Sequence, residues 1–369
     1  MKTAAIVIPT YNEAGNIEKL VHEIIEVSAK VPNWDLQMLV VDSRSSDKTG
    51  AIVRDLQKQY KNLHLLETEK EGLGKAYVRG FTYVLERMQA YVMFEMDADM
   101  SHDPKKIVDF LHHIEKGSDF VIGSRYTKGG SIPSDWGIHR KLFSVLGNWI
   151  IRLGFMNMKI TDWTSGYRAV KVWIIKAALP HISNYSGYVF QLALLENALR
   201  HHARISEVPI HFRDRTHGES KIHFSSYIFQ IFAYIFKYSS FIKFVIVGGA
   251  GFILDFGISY ILIHPAHFPL WLATVISTES AIISNFLFNN YWSFAHKKLE
   301  HHPKTMLFNF LKFNLVSSGS IIIQTLGIVI LSRIFSPDLW FVYKFFIIIF
   351  VVIPYSYILY NKIIWKDKK

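Results

Sequence analysis

The sequence predicts a two-part molecule: an α/β half built on a mostly parallel sheet, then an all-α half that crosses a membrane four times. Three observations predict it. Short apolar runs alternate with helix-like segments through residues 1–125. Between Phe244 and His296 only Asp255 and Glu279 carry formal charge. From Phe241 to Lys369 there are 11 Lys/Arg and 5 Asp/Glu, against 30 and 25 in residues 1–240, so the charged groups thin out while each part stays net basic.

Taken in order, Ala4–Pro9, Gln37–Asp42, His64–Glu67, Tyr91–Met96 and Asp119–Gly123 read as strands. Helical patterns lie between them, at about Ala14–Lys30, Asp47–Tyr60, Gly74–Arg87 and Pro104–Lys116. The alternation argues a Rossmann-like sheet covered by helices on both faces, with ligands beyond the carboxyl ends of its strands. Polar words fall at those ends: Thr10-Tyr11-Asn12-Glu13 after the first strand, Asp42-Ser43 after the second, and Asp97-Ala98-Asp99 after the fourth. Met1 to Tyr11 is too short and polar for a signal peptide and reads as a first strand, Ala4 to Pro9.

The stretch Met96 to Pro104 carries the sharpest chemistry. Two carboxylates one residue apart, Asp97 and Asp99 with Ser101 nearby, form a compact oxygen site for Mg²⁺ or Mn²⁺, cations that favour carboxylates shared with a substrate's phosphates. A plain acidic loop capping the helix that Pro104 opens is the alternative. The chain has no cysteine, which excludes a disulfide, a thiol nucleophile and a cysteine metal site. Its 17 histidines form no zinc pattern, and the adjacent pairs His112-His113, His201-His202 and His301-His302 suit surfaces. The pI near 9.4 is not accompanied by a basic run or an RNA-binding aromatic motif, so nucleic acid is not expected as a partner. Basic residues flanking apolar segments fit a membrane rim better.

Six ordered words then resemble glycosyltransferase family 2, and within it the dolichyl- or polyprenyl-phosphate mannose synthases. They are Ile8 to Glu13, Gly72-Leu73-Gly74-Lys75-Ala76, Met96 to Pro104, Gly123-Ser124-Arg125-Tyr126 with Gly129-Gly130, Thr164-Ser165-Gly166-Tyr167-Arg168, and Gly218-Glu219-Ser220-Lys221. The resemblance covers residues 1–221 and implies a GT-A fold, a nucleotide-sugar donor, a divalent metal and a lipid-phosphate acceptor. It also implies that Pro9, Tyr11, Glu13, Val41 and Ser43 line the nucleotide-sugar pocket together with Asp97, Ala98 and Asp99. Asp97 and Asp99, with Ser101, would hold the metal, and Asp97, Asp99 and Arg125 would be the catalytic group. Arg125, Arg140, Arg215, Ser220 and Lys221 would hold phosphate or acceptor, since guanidinium suits bidentate contacts and ammonium a compact charge. Two positions depart from the family pattern. Ser43 stands where a second Asp is usual, and Ala193, in Gln191-Leu192-Ala193, stands where Glu is common.

Residues 222–240 repeat apolar positions with polar interruptions and read as one or two amphipathic helices at a bilayer surface. Four spans follow at roughly 242–263, 271–294, 307–331 and 341–363. Lys297, Lys298 and Lys304 in the middle loop, and Lys366, Lys368 and Lys369 in the tail, place both cytoplasmic along with the catalytic half. The membrane half looks duplicated: Phe241-Ile242-Lys243-Phe244 recurs as Phe310-Leu311-Lys312-Phe313, and Asn289-Asn290-Tyr291-Trp292 is echoed by Asn361 to Trp365. It resembles the GtrA family of small four-span proteins. Asp255 and Glu279 are ionisable groups at membrane depth, which marks them as functional candidates unless they pair with each other or with amides.

The expected activity is therefore an inverting transfer of mannose from GDP-mannose to a dolichyl or polyprenyl phosphate at the cytoplasmic face. UDP-glucose or another donor is the near alternative. A lipid-linked sugar carrier with a decayed transferase half is the alternative of a different class. Oligomeric state is not legible.

Overall fold

A computed structural model describes residues 1–185, 187, 189–214 and 224–366, without the side chains at 224–227 and 337. The chain divides into two compact units, Met1–Tyr234 and Ile235–Lys369.

The first unit is the GT-A arrangement. Its strands are β1 (Lys2–Thr10), β2 (Trp34–Asp42), β3 (Leu63–Glu67), β4 (Val92–Glu95), β5 (Phe120–Ser124), β6 (Arg168–Lys171) and β7 (Ile205–Pro209). Its helices are α1 (Ile17–Ser28), α2 (Thr49–Leu56), α3 (Leu73–Arg87), α4 (Ile107–Glu115), α5 (Ile138–Gly154), α6 (Val172–Ile182) and α7 (Val189–Arg200). The sheet order is β3-β2-β1-β4-β6-β5-β7, with β6 antiparallel to both neighbours and every other pairing parallel. Ala4 to Ile8 of β1 are wholly buried, as expected for a central parallel strand with helices on both faces. One face packs Ile6, Ile8, Val40 and Phe94 against Ile24, Phe110 and Tyr167. The five expected strands are present. β6 and β7 went unread, because Arg-Ala-Val-Lys carries no apolar pattern and β7 has a single fully apolar-buried position, Val208.

Register sets the site. Thr10, Asp42 and Glu67 lie side by side at the carboxyl ends of β1, β2 and β3, while Val7 pairs with Glu95 two residues before Asp97. The expected helix over Pro104–Lys116 begins as a single 3₁₀ turn, Pro104–Lys106, capped by Asp103, whose carboxylate accepts from Lys105 N at 2.9 Å.

Between these elements and the membrane unit runs α8 (Phe224–Tyr238), one helix that buries Ile231, Tyr234 and Ile235 and leaves Phe229, Phe232 and Phe236 exposed. The second unit contains α9 (Ser240–Ile263), α10 (Leu270–Phe288), α11 (Pro303–Ile334), α12 (Trp340–Ile347) and α13 (Ile353–Ile363). Ser239 caps α9 by accepting from Ile242 N at 3.0 Å. A π-helical turn, Asn289–Ser293, extends α10, and another, Ile348–Val352, joins α12 to α13 just before Pro354. Pro354 lacks an N–H and crowds the preceding turn, which the wider turn relieves. The four resulting apolar helices, Ser240–Ile263, Leu270–Ser293, Pro303–Ile334 and Trp340–Ile363, are long and apolar enough to cross a membrane.

The repeat hinted at by the sequence is present in three dimensions. Phe241 and Phe244 lie 5.1 and 5.7 Å from Tyr357, and Phe310 and Phe313 lie 5.4 and 5.6 Å from Phe286. Phe294 stacks on Trp365 at 4.6 Å with the rings 13° from parallel. Each hairpin's first helix thus packs its opening aromatics on the other hairpin's second helix. Equivalent residues are 69 apart in the first helices and 71 apart in the second.

Candidate active site

The site lies at the carboxyl edge of β1, β2 and β4. After β1 the chain turns through Asn12, whose left-handed backbone (φ 60°) suits asparagine. This loop is fastened to the one after β2. Asn12 N donates to Ser45 Oγ (2.9 Å), Glu13 N to Thr49 Oγ1 (3.0 Å) and Ala14 N to Asp47 Oδ2 (2.9 Å). Asp47 is acidified: burial opposes its ionisation, but hydrogen bonds from Thr49 and from backbone amides outweigh it. Lys70 Nζ stands 3.7 Å from the centre of the Tyr11 ring, a cation–π contact.

Asp42, beside the substituted Ser43, is a staple. Its Oδ1 accepts from Thr10 Oγ1 (2.9 Å) and Ser45 Oγ (2.6 Å), and its Oδ2 from Ser45 N (3.0 Å). Ser43 is 8 % exposed and its backbone N donates to Thr10 O. Val41 is fully buried, with its side chain under Gly80 of α3. A polar cleft of about 380 Å³ opens beside Asp42, with Arg44, Lys48, Arg54 and Glu67 in its walls.

The Asp97–Ser101 loop is built with more constraint. Tyr77 of α3 donates from its hydroxyl to Asp97 Oδ1 at 3.3 Å. Asp97 N donates to His102 Nδ1 at 3.0 Å, which leaves the ring proton on Nε2, facing Asp97 Oδ2 at 3.9 Å. His102 is itself buried and stacked on Tyr167 at 4.8 Å. Met100 adopts a left-handed backbone, and Ser101 N closes the turn onto Asp99 Oδ1 at 3.1 Å. Ser101 Oγ is buried without a hydrogen-bond partner among the described residues. Two carboxylates and one orphaned hydroxyl in a single loop fit a hard divalent cation that completes its shell with phosphate and water. Among the described residues no group of three His, Asp or Glu forms a complete protein cage.

Beneath this loop lies a buried glutamate–arginine pair that sequence reasoning missed. Glu95 and Arg168 are both fully buried, 3.9 Å apart. Arg168 is held by the carbonyls of Ser165 (2.7 Å), Gln191 (2.5 Å) and Trp163 (2.9 Å). Burial pushes Glu95 up to about 8, against the pull of Arg168 and aided by Asp97, so it is mostly protonated at neutral pH. Arg168 ended a recognised sequence word, but nothing local marked Glu95, in the middle of an apolar strand, as its partner.

Arg125, expected to hold phosphate, gives its fork to Asp162: Nε to Oδ2 at 2.7 Å and Nη2 to Oδ1 at 2.8 Å, with Thr164 Oγ1 also taking Nη2 at 2.8 Å. Asp162 is wholly buried. Arg140 lies on α5, half-exposed, paired with Asp214 at 3.0 Å and stacked over Trp136 at 3.9 Å. Arg215, Ser220 and Lys221 lie outside the described residues. The structure therefore gathers Asp97, Ala98, Asp99 and Ser101 in one loop and sets Pro9, Tyr11, Glu13, Val41 and Ser43 along the adjoining strand ends. Arg125 and Arg140 are engaged by carboxylates on the β5 side. Ala193 is buried, and one turn on, Glu196 is raised by burial while accepting from Arg200 and from Tyr234 (3.4 Å).

α5 was also missed, although its periodicity was readable. Ile138, Leu142, Leu146, Trp149 and Leu153 recur at helical spacing and are between 46 and 77 % exposed. In the membrane unit, Asp255 pairs with neither Glu279 nor an amide among the described residues. Its Oδ1 accepts from Ser277 Oγ at 2.6 Å and Thr278 Oγ1 at 3.3 Å, while Glu279 is exposed on α10.

Comparison with known proteins agrees with this architecture. Residues 5–179 match the family described as glycosyl transferase family 2, and residues 243–365 match the GtrA/DPMS transmembrane domain. The chain is 28 % identical to a dolichol-phosphate mannosyltransferase of Pyrococcus furiosus, over 86 % of this chain and 88 % of that one. It is 35 % identical to a polyprenol monophosphomannose synthase of Mycolicibacterium smegmatis, covering 59 % of this chain and 80 % of that one. An undecaprenyl-phosphate mannosyltransferase of Micrococcus luteus is 38 % identical, over 58 % and 86 %. The chain belongs to glycosyltransferase family 2, as a member that carries a GtrA/DPMS transmembrane domain behind its catalytic unit.

Proposed function

We propose that this protein transfers mannose from GDP-mannose to a polyprenyl or dolichyl phosphate at the cytoplasmic membrane face. The observation that carries the reading is the Asp97–Ser101 loop, braced by Tyr77 and His102 at the edge of the sheet, in a chain whose relatives bear prenyl-phosphate mannosyltransferase names.

In the proposed reaction an oxygen of the lipid phosphate attacks C1 of the sugar from the face opposite the departing diphosphate. The C1–O bond to GDP breaks, a C1–O bond to the lipid phosphate forms, and the anomeric centre inverts. The acceptor is ionised at neutral pH, so no strong general base is required. This agrees with a site that offers carboxylates and braces rather than a nucleophile–histidine pair. Asp97 and Asp99, with Ser101 Oγ, would hold Mg²⁺ or Mn²⁺, which when bound neutralises charge on the leaving diphosphate. Tyr77 and His102 hold the Asp97 carboxylate in place. The loops after β1 and β2, pinned by Asp42 and Asp47, offer Tyr11 and Glu13 to the nucleotide. Arg125, locked on Asp162, fits a positioning role for the Thr164–Gly166 turn as well as phosphate binding.

A membrane-surface location is supported by α5 and α8, whose exposed Leu146, Trp149, Phe229 and Phe236 suit the headgroup boundary. Lys297 and Lys298 between the second and third spans, Lys304 in the first turn of the third, and Lys366 after the fourth favour the cytoplasmic side for both ends. Ser43, in place of a second acid, favours testing a second donor.

The test uses purified full-length protein with polyprenyl phosphate, Mg²⁺ or Mn²⁺, and either GDP-mannose or UDP-glucose, with lipid product read by mass. Metal-dependent product from GDP-mannose, lost in Asp99→Ala, is expected. Product from UDP-glucose alone would replace the donor. No product from either donor, from protein that remains folded, would point to the carrier reading.

A further inference from the structure

The two hairpins of the membrane unit solve the same packing problem differently. In the second hairpin two hydrogen bonds join α11 to the fourth span: Ser317 Oγ with Tyr360 OH at 2.6 Å, and Ser320 Oγ with Ser356 Oγ at 2.9 Å. Both pairs are polar groups at membrane depth, and each satisfies the other. At the repeat offsets their counterparts in the first hairpin are Gly248 with Asn289, and Gly251 with Asn285. Both hydroxyl-bearing residues of the first helix have become glycine.

The consequence falls on α10. Asn285 Oδ1, Asn289 Oδ1 and Ser293 Oγ are buried atoms with no hydrogen-bond partner among the described residues. They recur every four residues and so form a row on one face. Asn289 and Ser293 are each only 2 % exposed. The amide of Asn285 sits directly over Gly251, where an added Cβ would come within 2.2 Å of its Oδ1. Gly248 is exposed, with nothing within 4 Å of where a Cβ would stand, so the first helix offers no hydroxyl at the position equivalent to Ser317. Two turns before Asn285 the same face carries Ser277, which bonds Asp255 and accepts from Ser259 at 2.7 Å.

An orphaned polar atom inside a bilayer is costly, and lipid tails offer no donor. A small hydroxylic donor is what three buried, orphaned oxygens in one row accept, and a buried water makes two to four such bonds. We infer that the seam between α9 and α10, along Ser293, Asn289 and Asn285 toward Asp255, is a water-holding site, whereas the matching seam between α11 and α13 is dry.

The absence of native cysteine makes this directly testable, since a single introduced thiol has no background. Ser293→Cys and Ile364→Cys occupy equivalent, equally buried positions in the two seams. Full-length protein in lipid vesicles would be treated with a small charged methanethiosulfonate. Ser293→Cys should react roughly tenfold faster or more, because the thiolate forms where water reaches it. Equal rates, or no reaction at either site, would overturn the inference. Asn289→Cys against Tyr360→Cys gives the same contrast should either of the first pair fail to fold.

Discussion

The indole Nε1 of Trp365 donates to Asn290 Oδ1 at 3.0 Å, tying the end of the fourth span to the end of the second. The same oxygen accepts from Leu299 N at 2.9 Å, and Lys297 Nζ donates to Asn361 Oδ1 at 3.0 Å. The two repeats are therefore joined through their own repeated words, Asn290 and Asn361. Trp365→Phe should keep the stack on Phe294 and cost about 1 kcal/mol, the net worth of one hydrogen bond. Asn290→Leu strands the buried indole donor and the part-buried Leu299 N–H, and should cost about 2–3 kcal/mol, more than the loss of one bond. Thermal unfolding in detergent would rank the two.

Asp162 and Arg125 form a buried, bidentate ion pair in the catalytic unit. Asp162→Ala removes the carboxylate that faces the nearly buried guanidinium and should destabilise by about 3–5 kcal/mol. Burial opposes ionisation of Asp162, yet the Arg125 charge and hydrogen bonds hold its carboxyl below the ordinary 3.8. A depressed carboxyl contributes stability above its unfolded value and loses it as pH falls through the folded one. Wild-type protein should thus lose stability below about pH 4 more steeply than Asp162→Asn, measured by unfolding across an acid series.

Glu95 gives the opposite dependence. Its folded value of about 8 exceeds the ordinary 4.5, so the folded state holds a proton that the unfolded state releases. Stability from this group is complete below the unfolded value and declines as pH rises toward 8. Glu95→Gln, which cannot ionise, should remove that decline. The stability difference between Glu95→Gln and wild type should grow between those limits and level off above them.

Tyr77→Phe keeps the ring packed on Phe190, 5.8 Å away, and removes only the hydroxyl that meets Asp97. Transferase activity should fall about tenfold or less, the scale of one hydrogen bond, with a higher metal concentration needed for half-maximal rate. Unchanged metal dependence would remove Tyr77 from the support of Asp97.

The exposed face of α5 predicts a membrane-specific defect. Leu146→Glu should leave turnover of a short, water-soluble phosphate acceptor intact while lowering turnover of polyprenyl phosphate in vesicles. Equal effects on both acceptors would take α5 away from the lipid surface.

The sequence by itself determined the α/β order of the first 125 residues, the strand-end placement of Asp42, Asp97 and Asp99, and the four spans. Each is written in local pattern: buried parallel strands are continuous apolar runs, and spans are apolar all round. It also showed the repeat, through Phe241–Phe244 and Phe310–Phe313. Tertiary structure alone decided that β6 inserts antiparallel between β4 and β5, carrying Arg168 to Glu95 from 73 residues away. It decided likewise that Asp162 takes the fork of Arg125, and that, with glycine at 248 and 251, Asn289 Oδ1 and Asn285 Oδ1 meet no hydrogen-bond partner among the described residues, whereas Ser317 and Ser320 bond Tyr360 and Ser356. Those outcomes depend on which side chain arrives opposite which across a sheet or a helix pair. Propensity and periodicity record how a segment faces the core, and they hold no record of the residue it meets there.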